Sequence, residues 1–147
     1  MMIGMDILQP LAVLAGWTML MWLWMYVTRI PAMNAAKIDA KTMTGGTGKD
    51  LDAVLPGKVQ WIAHNYNHLH EAPTVFYAVA LALALIGQGD GLNATLGWAY
   101  VGLRIAHSLV QATVNKVMLR FLLFALSSFA LMGLTLHLVI AVFHSAA

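Results

Sequence analysis

The chain has 147 residues, of which 61% are hydrophobic and 10% charged, with a mean hydropathy of +0.76. An ordinary soluble domain carries about a quarter charged residues, so this composition excludes a soluble enzyme and a disordered chain. Eight Lys and Arg against six Asp and Glu leave a net charge of +2, too little to grip a nucleic-acid backbone; with no cysteine there is no disulfide, thiolate metal ligand or protein thiol nucleophile.

The first predicted helix covers about 7–28. Its apolar run is broken by Gln9, Pro10 and Thr18 and is long enough to cross a bilayer. Trp17, Trp22, Trp24 and Tyr26 enrich its second half, as at a membrane interface. No Lys or Arg precedes the run and Arg29 follows it, so it reads as a retained helix, not a signal peptide. The segment 29–57 holds Arg29, Lys37, Lys41 and Lys49, with Thr44-Gly45-Gly46-Thr47-Gly48 at its centre. It reads as a mobile cytoplasmic loop. Gly48-Lys49-Asp50 lacks the Gly-Lys-Ser/Thr ending of a phosphate loop.

The second helix is expected at about 58–87. Its first half, from Trp61 to Glu71, is polar; its second half is nearly all Ala, Leu and Val. The polar half must face protein, water or headgroups and not lipid tails. A glycine-rich turn leads to a third helix at about 92–114, which contains Arg104 and His107. A fourth covers about 117–143, with Arg120 near its start. Asn115-Lys116 is so short a connection that the last two helices are antiparallel neighbours. Positive charge sits on alternate connections, which places those in the cytoplasm and both termini outside. The expected fold is all-α: a single domain, 1–147, forming an integral membrane four-helix bundle of antiparallel up-down topology.

The chemistry concentrates in His64-Asn65-Tyr66-Asn67-His68-Leu69-His70-Glu71-Ala72-Pro73. In a continuous helix, His64, Asn67, His68 and Glu71 share one face. Pro73 removes a backbone donor and kinks the helix there. Three readings compete: a structural polar network between helices, a His64/His68/Glu71 metal site, and a site for a polar or anionic ligand. Arg104 favours the last. A guanidinium inside a membrane helix costs roughly 2.5–3.5 kcal/mol on insertion scales, so it faces the bundle and needs a partner. Glu71 is the natural candidate; a purely structural Arg104–Glu71 ion pair is the rival. Arg104, His107 and Gln111 share a face of helix three. Arg120 alone would read as a snorkelling interfacial anchor.

These residues resemble the MAPEG family, membrane-associated proteins in eicosanoid and glutathione metabolism. Asn67-His68-Leu69-His70-Glu71-Ala72-Pro73-Thr74-Val75-Phe76 is similar to its helix-two signature, and Arg104-Ile105-Ala106-His107-Ser108 to that of helix three. The resemblance spans essentially the whole chain. It implies a homotrimer that binds glutathione, as cosubstrate and with no metal, between subunits near the cytoplasmic side. It implies lipophilic small-molecule substrates, and a divergent bacterial member in the inner membrane. Glu71 matches the family acid. Asn67 matches the family Asn in type and His68 in spacing. His64 stands where the family has an Arg, and His107 and Gln111 where it often has Tyr. Arg104 matches the helix-three Arg, and Arg120 the helix-four Arg that stabilises the thiolate; the resemblance implies that Arg120 or Arg104 supplies the catalytic cation. The implied activity is conjugation or peroxide reduction. The alternative is a non-catalytic binder of lipid or another apolar ligand, whose polar stripe serves assembly.

Overall fold

A computed structural model describes residues 3–144. The described residues form helices and connections, with no strand: α1 (Leu8–Ala35), a 3-10 helix (Gly48–Ala53), α2 (Gly57–His68), α3 (Ala72–Leu85), α4 (Leu92–Thr113) and α5 (Val117–His144). Three stretches are long and apolar enough to cross a membrane: α1, the 29-residue stretch through α2 and α3, and α5. The expected third span, α4, has 22 residues, about 33 Å at helical rise. Asn93, Arg104, His107 and Gln111 lower its apolarity, and all four side chains are buried.

The first helix runs beyond its expected end at 28, to Ala35, with Pro31 in its final turns. It stops where Lys37 takes a left-handed conformation (φ 56°) and Ile38 N–H returns to the Met33 carbonyl, a pattern that satisfies the last carbonyls of a helix. The following connection is more ordered than its composition suggests. Thr47 and Asp50 form a capping box around the 3-10 helix, Arg29 Nη2 donates to Gly48 O at 2.9 Å, and Gln60 Nε2 donates to Leu51 O.

The expected continuous helix at 58–87 is two helices. Glu71 (φ −94°, ψ −105°) lies outside the helical region, and Pro73 stands at the start of α3. Pro73 has no N–H to carry the hydrogen-bond ladder across, and its ring crowds the preceding turn. At the next corner Asn115 (φ 50°) closes α4, its N–H returning to Val110 O at 2.7 Å. Helices α4 and α5 then lie side by side as an antiparallel pair, near the expected boundaries.

The core is apolar and continuous. Leu14 and Met21 of α1, Phe76 and Leu83 of α3, Val101 of α4 and Leu134 of α5 are completely enclosed. Gly97 lets α4 approach Ile7 and Pro10, where an added Cβ would lie 3.2–3.3 Å from their side chains. The start of α1 is tied to the α3–α4 connection by Gly4 N–H to Ala84 O and Ile7 N–H to Gly89 O, both 3.0 Å. On α5, Phe121, Phe129 and Phe143 are among the side chains more than 60% exposed. Arg29 and the five lysines lie in or beside the 29–58 and 115–116 connections, with Arg120 one turn into α5; the end holding Gly4 and Gly89 carries Asp6 and Asp90. Arg104 stands between the two ends.

Candidate functional site

The break between α2 and α3 builds the site. The last carbonyls of α2 accept from N–H groups of the turn, His68 O from Glu71 N–H at 3.3 Å, and Arg104 adds a second donor there: its Nη2 donates to His68 O at 3.3 Å. Arg104 is 1% exposed, and its Nε and Nη1 have no hydrogen-bond partner. Its guanidinium carbon stands 5.6 Å from the centre of the Phe124 ring, a contact in which the ring face faces the cation.

Glu71 does not pair with Arg104. Its Oε2 accepts from His68 Nδ1 at 2.5 Å. Since a carboxylate can only accept, the proton sits on Nδ1. The His68 ring centre lies 5.0 Å from that of His107 and 5.7 Å from that of Phe124. These three rings, with Val117, Arg120 and Phe121, line a recess of about 240 Å³. Arg120 Nη1 donates to Asn115 Oδ1, while its Nε is buried and unpaired.

Of the residues singled out in the sequence, His68, His107 and Arg120 thus meet in one recess, with Arg104 behind its wall and Glu71 on its rim. His64 points elsewhere: its Nε2 is 3.1 Å from both Asp52 carboxylate oxygens. Asn67 is exposed. Gln111 is buried one turn beyond His107, its Oε1 unpaired, and does not line the recess. The His64–His68 pair is divided between Asp52 and Glu71. Among the described residues no group of three or more His, Asp or Glu side chains is placed to hold a metal ion.

The sequence reading passed over Asn65. It is 1% exposed, and its Nδ2 donates to Ser108 Oγ at 2.6 Å; Trp17 Nε1 donates to the same oxygen at 2.9 Å. One hydroxyl therefore joins α1, α2 and α4 directly beside Arg104 and His107. The signal was available: Ser108 lies one turn from Arg104 on the face already assigned to the bundle interior.

Two other cavities frame this one. An apolar groove of about 490 Å³ runs between Val75 of α3 and Leu131, Met132, Leu136 and Val139 of α5. It adjoins the recess, because Ser128 in its wall lies one turn from Phe124. A recess of about 530 Å³ at the opposite end includes Asn93, but both ends of that carboxamide are engaged, by His137 Nδ1 and by Gln88 O.

No curated protein and no solved structure matches the chain. A model of the MAPEG family matches residues 7–140, a stretch that includes all five helices except the last turn of α5, the broken turn at Glu71, and both Arg104 and Arg120. The chain belongs to the MAPEG family.

Proposed function

We propose that the protein is a membrane-bound glutathione transferase or peroxidase of this family. It binds glutathione at the recess and activates the thiol toward lipophilic electrophiles or hydroperoxides. The observation that carries this reading is that three guanidinium nitrogens at or behind the recess, Arg104 Nε, Arg104 Nη1 and Arg120 Nε, are buried with no partner among the described residues; Arg29 Nε, away from the recess, is in the same state. A buried unsatisfied donor costs about 1–3 kcal/mol, more when charged. Glutathione brings two carboxylates and an ionisable thiol to such donors. Arg104 receives a carboxylate as the His68 and Phe124 side chains between it and the recess shift, Arg120 faces the sulfur, and Glu71 takes the α-amino group on its second oxygen. A nearby cation favours the thiolate, which is the nucleophile. The apolar groove beside the recess guides the cosubstrate in from the bilayer.

The same reading makes α4 the fourth span, with its polar residues turned inward. The protein assembles with copies of itself in this reading, which gives protein partners to His64, Asn67, His70 and Glu71, exposed in the stretch through α2 and α3, since such groups face protein or water, not lipid tails; that the assembly is a homotrimer is what the family resemblance implies. Positive-inside bias favours a cytoplasmic basic end, and the family resemblance implies a bacterial inner membrane.

The test is glutathione binding to detergent-solubilised protein, followed by ultraviolet thiolate absorbance. Arg104→Ala is expected to abolish binding, and Arg120→Ala to leave binding but remove the thiolate signal. No binding at millimolar glutathione sinks the proposal. The groove, apolar along its length, then favours the second reading, a non-catalytic binder of lipid. That reading expects the Arg104 and Glu71 variants to disturb assembly with no effect on thiol chemistry.

A further inference from the structure

We propose that His68 is the general base that removes the proton from the thiol in the recess. This inference rests on the glutathione reading above. Its basis is the position of the imidazole between two partners of opposite kind. On one side, the Glu71 carboxylate accepts from Nδ1 at 2.5 Å. That bond fixes the tautomer and leaves the lone pair on Nε2. On the other side, the ring forms the wall of the recess that Arg120 also lines. Nε2 makes no hydrogen bond among the described residues and is not sealed within the protein. The ring is held on its faces by Phe124 and His107. A carboxylate that orients an imidazole whose other nitrogen faces the reacting group is the arrangement of a general base and its positioning partner.

The other charged or titratable groups around His68 are Glu71 from the turn, Arg104 and His107 from α4, and Arg120 from α5. Neither α1 nor α3 lends a residue to the recess. His107 makes no hydrogen bond to a carboxylate, so nothing orients it as a base. Arg104 and Arg120 remain cationic and cannot accept a proton. His68 is therefore the acceptor at this recess.

In the step, the S–H bond breaks and its electron pair stays on sulfur. The proton moves to Nε2, and the resulting imidazolium is balanced by Glu71. The thiolate faces the Arg120 guanidinium. In conjugate addition to an unsaturated carbonyl compound, sulfur bonds to the terminal carbon and the π pair moves to the carbonyl oxygen. The enolate then takes back the proton from His68, so the residue ends as it began.

The experiment uses the full chain in detergent with labelled glutathione, an activated enone as electrophile, and pH–rate profiles. His68→Asn keeps a polar side chain of suitable size but has no basic nitrogen. His68→Ala opens space for added imidazole. Both variants are expected to bind glutathione near wild-type affinity. Their turnover falls about 10²–10⁴-fold, the usual worth of a general base. The acidic limb of the profile disappears, and imidazole partly restores the Ala variant. Unchanged turnover and an unchanged acidic limb in His68→Asn overturn the assignment while the glutathione reading stands. Loss of binding in both variants also overturns it, by making His68 a binding residue. Failure of the wild type to bind glutathione removes the underlying reading, and this one with it.

Discussion

Arg104, in the middle of α4, donates to the carbonyl oxygen of His68, the last residue of α2, at 3.3 Å. The same residue thus gives its backbone to Arg104 and its side chain to Glu71. That carbonyl also accepts from Glu71 N–H at 3.3 Å, so Arg104 shares an acceptor with the turn between α2 and α3.

Arg104→Met separates binding from folding. Replacing a buried charge with an apolar side chain of similar volume is often neutral or stabilising. The expected melting temperature in detergent equals or exceeds that of wild type. Glutathione affinity falls tenfold or more, as expected on losing a charge-assisted hydrogen bond worth about 1.5–3 kcal/mol. A large drop in melting temperature would assign Arg104 to structure instead.

Pro73→Ala restores the missing N–H and lets α2 and α3 join. Circular dichroism should show a gain of about one helical turn. The His68 carbonyl and the Glu71 side chain then leave their present partners. Glutathione affinity should fall about tenfold, or 1.4 kcal/mol. Unaltered affinity alongside increased helicity would show that the break is unimportant to the site.

Ser108→Ala strands both Trp17 Nε1 and Asn65 Nδ2. Each donor left unpaired costs about 1–3 kcal/mol, so a loss of roughly 2–6 kcal/mol is expected. Denaturant titration of the solubilised protein measures it. Ser108→Thr keeps the hydroxyl and should cost less.

Gly89→Ala places a Cβ against the Gly4 backbone and the Ile7 side chain. Overpacking of this kind costs about 1–3 kcal/mol. Gly102→Ala is the control: nothing lies within 4 Å of its added Cβ, in the middle of α4. There the lower backbone freedom of Ala should add about 0.5–1 kcal/mol. Paired thermal melts compare the two.

Composition carried much of the helix layout. Apolar runs marked α1 and α5, and Asn115-Lys116 marked the corner between α4 and α5 within a residue. The site was less legible. Counting faces from His64 to Glu71 assumes one unbroken helix, and Pro73 invalidates that count beyond His68. Glu71 consequently meets His68 and not Arg104. The burial of Asn65 was legible only through its partner Ser108, not from its own stretch. Two positions apart on a helix, Asn65 and Asn67 point to nearly opposite sides, and the polar residues around both give no hint of which side is inward. Asn65 is enclosed, while Asn67 is exposed.

The backbone tie between the start of α1 and the α3–α4 connection bears on the order of assembly. Gly4 and Ile7 are synthesised well before their partners Ala84 and Gly89. The tie can therefore form only after the basic connection, α2 and α3 have been made, and the chain closes backwards onto its earliest helix.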